Sequence, residues 1–323
     1  MIKFEKVVVC CSTSVTGGPE LLHQLVDKLR KLGHNAYISY FPFDETHQCP
    51  DAYRKYDAPQ TRFDDTPGTF VIVPEVATRI LKHIKHAEAA IWWLSVDNYF
   101  LAKHQSILRD FYLRYKSLIR RRVPLRSLRK YRHFVQSVYA KNFLQRFGIA
   151  SSPLYDYLSK EHLVTVDKST SRRDIVVFNP NKGHKQTLKL REANPDIEFV
   201  PIQNMTAGQV AELLASAKIY IDFGHHPGKD RPPREAAMAG CCVITGKRGS
   251  ARYFEDIPIP DAYKLDDSSD AYILAFRSIA DDIFANFSKH AQQFERYCEI
   301  ILREQTVFEQ QVESLFGRKN SND

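Results

Sequence analysis

The sequence predicts an α/β protein with two Rossmann-like domains and a C-terminal helical segment. Near the N-terminus, an apolar and β-branched run is followed by a glycine-containing turn, a helical pattern and a second strand. This is the repeating unit of a doubly wound parallel sheet. The same order of elements begins again after a polar stretch at residues 159–173. The length of 323 residues suits two domains of ordinary size, so we expect each series to form its own sheet.

The first domain is predicted to start with a strand at 6–11, KVVVCC, whose continuous apolar content is typical of strands buried on both faces. A helix is predicted from about Pro19, because leucines between positions 21 and 32 recur at helical spacing. Gly33 suits the end of that helix. Residues 36–40 alternate in polarity as a strand does, which completes the first strand–loop–helix–strand unit.

The rest of the first domain continues this alternation after a long polar loop at 41–68. In chain order we expect strands at 70–74, 89–95 and 134–137, and helices at 76–86 and 140–147. The first domain is assigned to 1–160, the second to 161–300, and a C-terminal helix with a polar tail to 301–323.

The second domain is predicted to contain strands at 175–178, 198–201, 217–223 and 241–245. Helices are expected from the loop 179–183 to about Ala193 and at 207–217, where Thr206 is a good N-cap. A short helix is expected to open near Glu235, and residues 269–316 are largely helical in pattern. With two such sheets, a ligand cleft is expected at the carboxyl ends of the strands.

The composition indicates the cellular compartment in which we expect the protein. No apolar run is long enough to span a bilayer, and the N-terminus passes directly into a strand, unlike a signal peptide. The six cysteines include two adjacent pairs within strand patterns, with no Cys-x-x-Cys spacing. Reduced core cysteines in a cytoplasmic protein are therefore expected.

The positive charge is concentrated in one segment. Residues 101–133 contain 11 Lys or Arg and a single acid, whereas the rest of the chain has 35 basic and 37 acidic residues. Apolar residues at helical spacing within the segment predict a basic amphipathic helix. Anionic lipid or an anionic acceptor is the expected partner, and an ordinary solvated basic face is the alternative. Nucleic acid is disfavoured, because no base-stacking aromatic pattern is evident. The cations assigned to this role are Arg120, Arg121, Arg122, Arg126, Arg129 and Lys130.

The most informative stretch is 222–245, DFGHHPGKDRPPREAAMAGCCVIT, where a basic glycine-containing loop joins a strand to a helix. A helix N-terminus offers free N–H groups and a positive dipole end, which favour a phosphorylated ligand. The candidate ligands of the phosphate in this loop are His226, Gly228, Lys229, Arg231 and Arg234. His225 is a candidate catalytic residue as a hydrogen-bond donor or imidazolium. Asp230 is expected to pair with one of the loop cations.

These motifs together resemble a GT-B glycosyltransferase, and most closely the retaining group with the E-x7-E signature. The segment 227–240 matches that group at Gly228, Pro232, Glu235, Ala236 and Gly240, whereas Pro227 stands in the place of the first glutamate. The resemblance implies that Glu235 binds the ribose hydroxyls of a nucleotide. Lys182 and Gly183 resemble the family's Lys-Gly pair, which implies that Lys182 stabilises the leaving diphosphate, with Lys185 as an alternative.

The resemblance implies that the first domain binds the acceptor. Gly17 and Gly18 occupy the loop that faces the cleft in GT-B enzymes. Asp97, just after the strand 89–95, is a candidate catalytic acid/base or acceptor-hydroxyl ligand, and a turn or N-cap aspartate is the alternative.

The expected function is transfer of a sugar from a nucleotide-sugar to a glycan or glycolipid acceptor. By resemblance, the setting is bacterial surface polysaccharide or lipopolysaccharide synthesis, at the cytoplasmic side of the inner membrane. The resemblance implies a retaining enzyme that needs no metal and no cofactor besides the nucleotide-sugar as co-substrate. Two alternatives stay open: a nucleotide-sugar 2-epimerase on the same fold, and a non-catalytic protein that binds nucleotides or nucleic acid.

Overall fold

A computed structural model of the protein describes residues 4–100, 123–163 and 171–318. The chain divides into two compact units. The first comprises Met1–Tyr157 together with Gln305–Asp323, and the second comprises Leu158–Glu304. None of the helices within the described ranges is long and apolar enough to cross a membrane.

The first unit is built on a six-stranded parallel sheet with the strand order β2-β1-β3-β4-β5-β6. Its strands are β1 (Lys6–Cys11), β2 (Ala36–Tyr40), β3 (Thr69–Pro74), β4 (Glu88–Trp93), β5 (Arg132–Val135) and β6 (Ser152–Pro153). Its helices are α1 (Gly17–Lys31), α2 (Val96–Phe100), α3 (Leu125–Leu128) and α4 (Val138–Gln145), and 3₁₀ turns lie at Asp51–Tyr53 and Glu75–His83.

The central strands β1, β3 and β4 are buried on both faces, as their continuous apolar runs predict, whereas the short strand β6 is partly exposed. Helix α1 packs its leucines against one face of the sheet. It ends at Lys31, and Gly33 follows the C-cap with a φ of +87°, a left-handed conformation that glycine adopts without strain.

The second unit contains a five-stranded parallel sheet with the order β11-β10-β9-β7-β8. Its strands are β7 (Arg173–Phe178), β8 (Glu198–Pro201), β9 (Ala217–Asp222), β10 (Cys242–Gly246) and β11 (Lys264–Leu265). Its helices are α5 (His184–Ala193), α6 (Ala207–Ser216), α7 (Arg231–Met238), α8 (Ala271–Ala285) and α9 (Phe287–Gln292), and the first part of α10 (Glu295–Phe316) also belongs to it. Short 3₁₀ turns lie at Lys160–His162, Ser250–Arg252 and Asp261–Tyr263.

The two parallel sheets confirm the predicted α/β class with two Rossmann-like halves. Thr206 caps α6 in a full capping box with Gln209, as its residue type and position indicate. In the second sheet, β7 lies between β8 and β9, so the connections from β7 and from β9 leave the sheet at the same carboxyl edge. This is the point of an open α/β sheet at which ligands bind.

The end of the chain belongs to the first unit rather than to a separate segment. Phe308, Val312 and Phe316 of α10 are buried in the core formed by β1, β3 and β4. The His34 ring nitrogen Nε2 lies 2.8 Å from the Gly317 carbonyl oxygen, and Gln311 Oε1 accepts a hydrogen bond of 2.7 Å from the Tyr155 N–H. The C-terminal helix therefore completes the apolar cover of the first sheet.

Two helix predictions are corrected. The segment 76–86 forms 3₁₀ turns over Glu75–His83 that are interrupted at Ala77, where φ is −118°, instead of a regular helix. Helix α7 begins at Arg231, one turn before Glu235, because prolines are tolerated in a first helical turn, where their missing N–H groups have no intrahelical partner. The predicted amphipathic helix of the basic segment falls mainly on residues 101–122, which lie outside the described residues.

We predict that Phe308→Ala destabilises the first unit by about 3–5 kcal/mol, because it removes a fully buried aromatic side chain from the core. Urea unfolding followed by tryptophan fluorescence measures this unit alone, since both tryptophans of the chain, Trp92 and Trp93, lie on β4. The neighbouring Val307→Ala is the control and should cost less than about 1 kcal/mol, because Val307 is 37% exposed. Equal losses in the two variants would contradict this placement of α10.

Candidate functional site

Three loops meet at the carboxyl edge of the second sheet, and glycines allow their close approach. A Cβ atom on Gly183 would lie 2.5 Å from the Phe223 carbonyl carbon and 2.7 Å from the Gly224 nitrogen. A Cβ on Gly224 would lie 2.8 Å from Lys182 Cβ. The loop after β7 therefore touches the loop after β9 backbone to backbone, and this contact brings Lys182 to the end of β9.

The loop after β10 supports the loop after β9 from the other side. Gly249 has φ +59° and lies so close to His226 that a Cβ would overlap the His226 carbonyl oxygen. That carbonyl accepts a hydrogen bond of 2.8 Å from the Ser250 N–H. The Ser250 hydroxyl donates to the Gly228 carbonyl oxygen at 2.6 Å. The conformation of the 225–228 segment is thereby fixed by backbone contacts.

Four charged groups form a chain within this loop cluster. Lys182 Nζ pairs with the carboxylate of Asp230. His226 Nδ1 lies 3.0 Å from Asp230 Oδ2, and its Nε2 lies 3.5 Å from Asp222 Oδ1. Asp222 Oδ1 also accepts the Gly224 N–H at 2.9 Å. We call Lys182, Asp230, His226 and Asp222 the buried charge chain.

The surroundings of Asp230, His226 and Lys182 favour the charged form of each. Burial raises the pKa of Asp230, but Lys182 and His226 outweigh it and lower this pKa to about 2. Burial lowers the pKa of His226, whereas Asp222 and Asp230 raise it, and the net pKa is above the usual 6.5. Lys182 behaves alike: burial lowers its pKa, Asp230 and Asp222 raise it, and the net direction is upward. Basic and acidic side chains thus alternate along the chain, from Lys182 to Asp230, His226 and Asp222.

Arg234 and Lys229 have a different partner, Glu304. The Arg234 guanidinium is fully buried, and its Nη1 donates to Glu304 Oε2 at 2.8 Å while its Nη2 donates to the Lys229 carbonyl oxygen at 2.9 Å. Lys229 Nζ donates to Glu304 Oε1 at 2.6 Å. These ion pairs fasten the loop before α7 to α10, so both cations are engaged within the protein, and their predicted contact with a phosphate stays a prediction.

The remaining candidates of the second unit lie on the helices and loop around this cluster. Glu235 is the fifth residue of α7, and its Oε1 lies 3.7 Å from Arg231 Nε. Lys185 is exposed on the first turn of α5, and His225 is partly buried beside Gly249. The sequence predicts that Glu235 lies in the first turn of the helix. In the structure it lies one turn further along α7.

In the first unit, the predicted acceptor residues also gather at a carboxyl edge. Gly17 and Gly18 are the first residues of α1, after the loop 12–16 that follows β1. A Cβ on Gly18 would lie 3.5 Å from Leu94 Cδ1, which follows β4. Asp97 is buried in α2, after the same strand.

Three of the cations assigned to the basic segment, Arg126, Arg129 and Lys130, lie in the described part of the chain and differ in their contacts. Arg126 and Lys130 are exposed. Arg129 donates from Nε to the Phe147 carbonyl oxygen at 3.0 Å. Arg120, Arg121 and Arg122 lie outside the described residues, so the membrane or acceptor role of this segment stays a prediction.

Sequence reasoning missed two residues of the site, Asp222 and Glu304, and assigned the wrong partner to Asp230. Asp222 ends β9 and Glu304 lies 70 positions beyond Arg234. Asp230 pairs with Lys182 and His226, whereas the sequence suggested Lys229, Arg231 or Arg234. Asp222 was detectable as an acid at the end of a buried strand, but no local pattern points to Glu304. Among the described residues, no cluster of three or more His, Cys, Asp or Glu side chains has the arrangement of a metal site.

Solved structures similar to the whole chain are sugar-transfer enzymes and related proteins. HepE from Anabaena, solved in complex with UDP-glucose, superimposes with a TM-score of 0.61 at 12% identity, covering 96% of this chain and 99% of HepE. Sucrose-phosphate synthase from Thermosynechococcus elongatus gives 0.62 at 11% identity, with 96% and 98% covered. The lipopolysaccharide outer core galactosyltransferase WaaB, in its apo form, gives 0.61 at 10% identity, with 97% and 100% covered.

No protein-family model and no curated protein sequence matches the chain. The structural similarity shows that the chain has the GT-B fold, which confirms the fold that the sequence motifs indicate.

We predict that Gly249→Ala lowers the free energy of unfolding by at least about 2 kcal/mol. An alanine there would combine a left-handed backbone with a clash against the His226 carbonyl. Gly208→Ala in α6 is the control and should be neutral or stabilising by up to about 1 kcal/mol, because Gly208 is exposed and helical. Thermal unfolding followed by circular dichroism compares the two, and similar melting temperatures would contradict the proposed contact.

We predict that Asp230 stabilises the second unit above its unfolded pKa and loses this effect in acid. Its pKa falls from 3.8 to about 2 on folding, so its contribution is complete above about pH 4–5 and disappears as the pH falls towards 2. Asp230→Asn should therefore cost on the order of 2 kcal/mol at pH 7, and the difference from wild type should shrink in acid.

Chemical unfolding at several pH values between 2 and 7 measures this difference. Asp261→Asn is the control, because Asp261 is exposed and pairs with Lys247 only at 3.4 Å; it should change the free energy of unfolding by less than about 1 kcal/mol. A loss for Asp230→Asn that is independent of pH would refute the assigned charge pairing.

Proposed function

We propose that the protein is a glycosyltransferase that moves a sugar from a nucleotide-sugar donor to a glycan or glycolipid acceptor. The observation that carries the proposal is the position of Lys182 beside the loop that enters α7, at the carboxyl edge of the second sheet of a GT-B fold. Phosphorylated ligands bind at such edges because helix N-termini and loop N–H groups face them.

The second unit supplies what a diphosphate leaving group requires. Negative charge accumulates on the diphosphate as the glycosidic bond breaks, and preorganised cations and helix ends stabilise it. The side chain of Lys182 is 26% exposed and its ammonium pairs with Asp230, and we propose that this ammonium also meets the diphosphate. Lys185, on the first turn of α5, is a second cation close in sequence. We propose that these groups act in place of a metal ion.

The nucleoside would lie beside α7. Glu235 lies in the second turn of this helix with a side chain that is 20% exposed, and we propose that its carboxylate binds the ribose hydroxyls. Arg231 and Gly228 flank the entry to the helix. His225, partly buried beside Gly249, is proposed to donate a hydrogen bond near the transferred sugar. Because HepE was solved with UDP-glucose, a UDP-sugar is the first donor to test.

The acceptor is assigned to the first unit. Gly17 and Gly18 leave the start of α1 open to an approaching hydroxyl group, since a Cβ on Gly17 would have no neighbour within 4 Å. Asp97, after β4, is proposed as the acid/base or acceptor-hydroxyl ligand. The similarity to a lipopolysaccharide galactosyltransferase favours a bacterial surface glycan as the acceptor class. The basic segment would then hold the enzyme at an anionic membrane or bind an anionic acceptor.

Donor binding and product analysis test this function. Calorimetry with UDP, followed by GDP, ADP and dTDP, should find one nucleoside diphosphate that binds, and incubation of its sugar conjugate with bacterial glycolipid extracts should yield a glycosylated product. Conversion of the nucleotide-sugar to its 2-epimer without acceptor would favour the epimerase instead. Failure of all four nucleotides and their sugar conjugates to bind would overturn the proposal.

We predict that Lys182→Met weakens UDP binding about 10- to 100-fold, because it removes a charge-assisted hydrogen bond to the diphosphate. Isothermal titration calorimetry gives the two dissociation constants. Lys189→Met is the matched control on α5, where Lys189 pairs with Asp270, and it should leave the affinity unchanged. Equal affinities for Lys182→Met and wild type would remove Lys182 from the donor site.

A further inference from the structure

The buried charge chain becomes steadily less exposed from Lys182 inward. The side chain of Lys182 is 26% exposed, that of Asp230 is 16% exposed, and that of His226 is fully buried. Lys182 is therefore the most exposed member of the chain. His226, which the sequence suggests as a phosphate ligand, is too deeply buried for direct contact.

We infer that Asp222, His226 and Asp230 are positioning residues that hold Lys182 towards the donor diphosphate, and that donor binding requires the protonated form of His226. This inference rests on the proposed function. It adds that protonation of His226 regulates donor binding at the same site. His226 acts through Asp230 and Lys182 and does not touch the substrate.

The geometry makes His226 the link between two acids that would otherwise repel each other. Its two ring nitrogens face Asp230 on one side and Asp222 on the other. Within the described parts of the chain, Asp222 Oδ2 has no hydrogen-bond partner. His226 and Lys182 are the basic side chains that act on Asp222, and His226 is the one that contacts both carboxylates. Like-charged carboxylates in a buried setting interact strongly.

Loss of the His226 proton changes the net charge of the chain from zero to minus one. The excess negative charge would lie behind Lys182, at the position where an anionic diphosphate approaches, and would oppose its binding. A neutral His226 would also attract the Asp230 carboxylate less strongly. Asp230 would then interact more strongly with Lys182 and draw its ammonium inward. Both effects weaken the hold on a diphosphate without any contact between His226 and the ligand.

The other groups that face His226 do not supply the positive charge that is lost with its proton. From the loop after β10, Gly249 and Ser250 present neutral backbone and hydroxyl groups. Tyr220, on β9, stays neutral because burial and the nearby Asp222 raise its pKa. Two ionisable groups outside the buried charge chain are also near. His225 lies beside Gly249, and the charge of Glu235 helps to raise the pKa of Tyr220.

The direction of the pH effect follows from these charges. Burial lowers the pKa of His226, but Asp222 and Asp230 raise it above the usual 6.5, so the imidazolium is lost as the pH rises through this raised folded-state pKa. Bound diphosphate would raise this pKa further, so binding is coupled to proton uptake. By the same linkage, His226 stabilises the fold below about pH 6.5, and this contribution is lost as the pH rises through the folded-state pKa.

The test compares wild type with His226→Gln, which keeps hydrogen-bonding capacity but cannot carry the charge. Isothermal titration calorimetry with UDP is performed between pH 6 and 9, in PIPES, HEPES and Tris buffers that differ in ionisation enthalpy. The ratio of the two affinities cancels the ionisation of UDP itself. We expect wild type to bind UDP about tenfold more tightly at pH 6.5, the factor for one pKa unit of coupling, with a ratio near one at pH 9. Wild type should also take up more protons on binding than the variant.

His290→Gln is the matched control. His290 is also buried in the second unit and pairs with a carboxylate, since its Nε2 lies 2.9 Å from Asp282 Oδ2. It lies on α9, away from the loops, so its loss should lower stability but leave the affinity for UDP and its pH dependence unchanged. A change equal to that of His226→Gln would mean that the effect is merely structural, and would overturn the inference.

A second variant keeps the inference testable if His226→Gln fails to fold. Asp222→Asn removes a negative charge beside the imidazole, so the pH at which UDP affinity falls should move downward from its wild-type value. An unchanged midpoint, or equal pH dependence in wild type and His226→Gln, overturns the positioning role while the proposed function stands. If wild type binds neither UDP nor any other nucleoside diphosphate of the panel, the proposed function fails, and this inference fails with it.

Discussion

The backbone of Gly183 approaches that of Phe223 and Gly224 more closely than any side chain would permit, and the arrangement of the second unit depends on this contact. It joins the loop after β7 to the loop after β9 and thereby places Lys182 beside Asp222 and Asp230. The interaction is steric in origin, but its consequence is electrostatic. Without it, the lysine would be an ordinary loop cation, and two buried acids would share a single imidazolium.

Burial of charge at this edge of the sheet is tolerated because almost every charge has a partner. An isolated buried ion is costly, whereas paired and hydrogen-bonded ions recover much of the lost hydration. The loop before α7 contains two separate groups of this kind. One is the buried charge chain, and the other joins Lys229 and Arg234 to Glu304. The second group fastens the loop to α10, and the first is the one that we propose meets the ligand.

Both units use the same principle with different residues. In each sheet the strands are parallel, so polar side chains that follow different strands gather at the carboxyl edge. In the first unit this edge carries a glycine turn and the buried Asp97, and in the second it carries cations and helix N-termini. The division between an acceptor side and a donor side in the proposed function corresponds to this difference in chemistry.

The sequence by itself determined most of the local structure. Apolar runs located the main strands, leucine spacing located α1, and Thr206 marked the start of α6, because these signals depend on neighbouring residues only. Local motifs also identified the GT-B fold and selected Lys182. The tertiary structure decided which cation meets which acid: Asp230 pairs with Lys182, 48 positions away, and Glu304 pairs with Arg234, 70 positions away. It also returned the chain from Gln305 onward to the first unit. Such pairings depend on distance in space, which follows from how strands and loops pack and not from the order of residues along the chain.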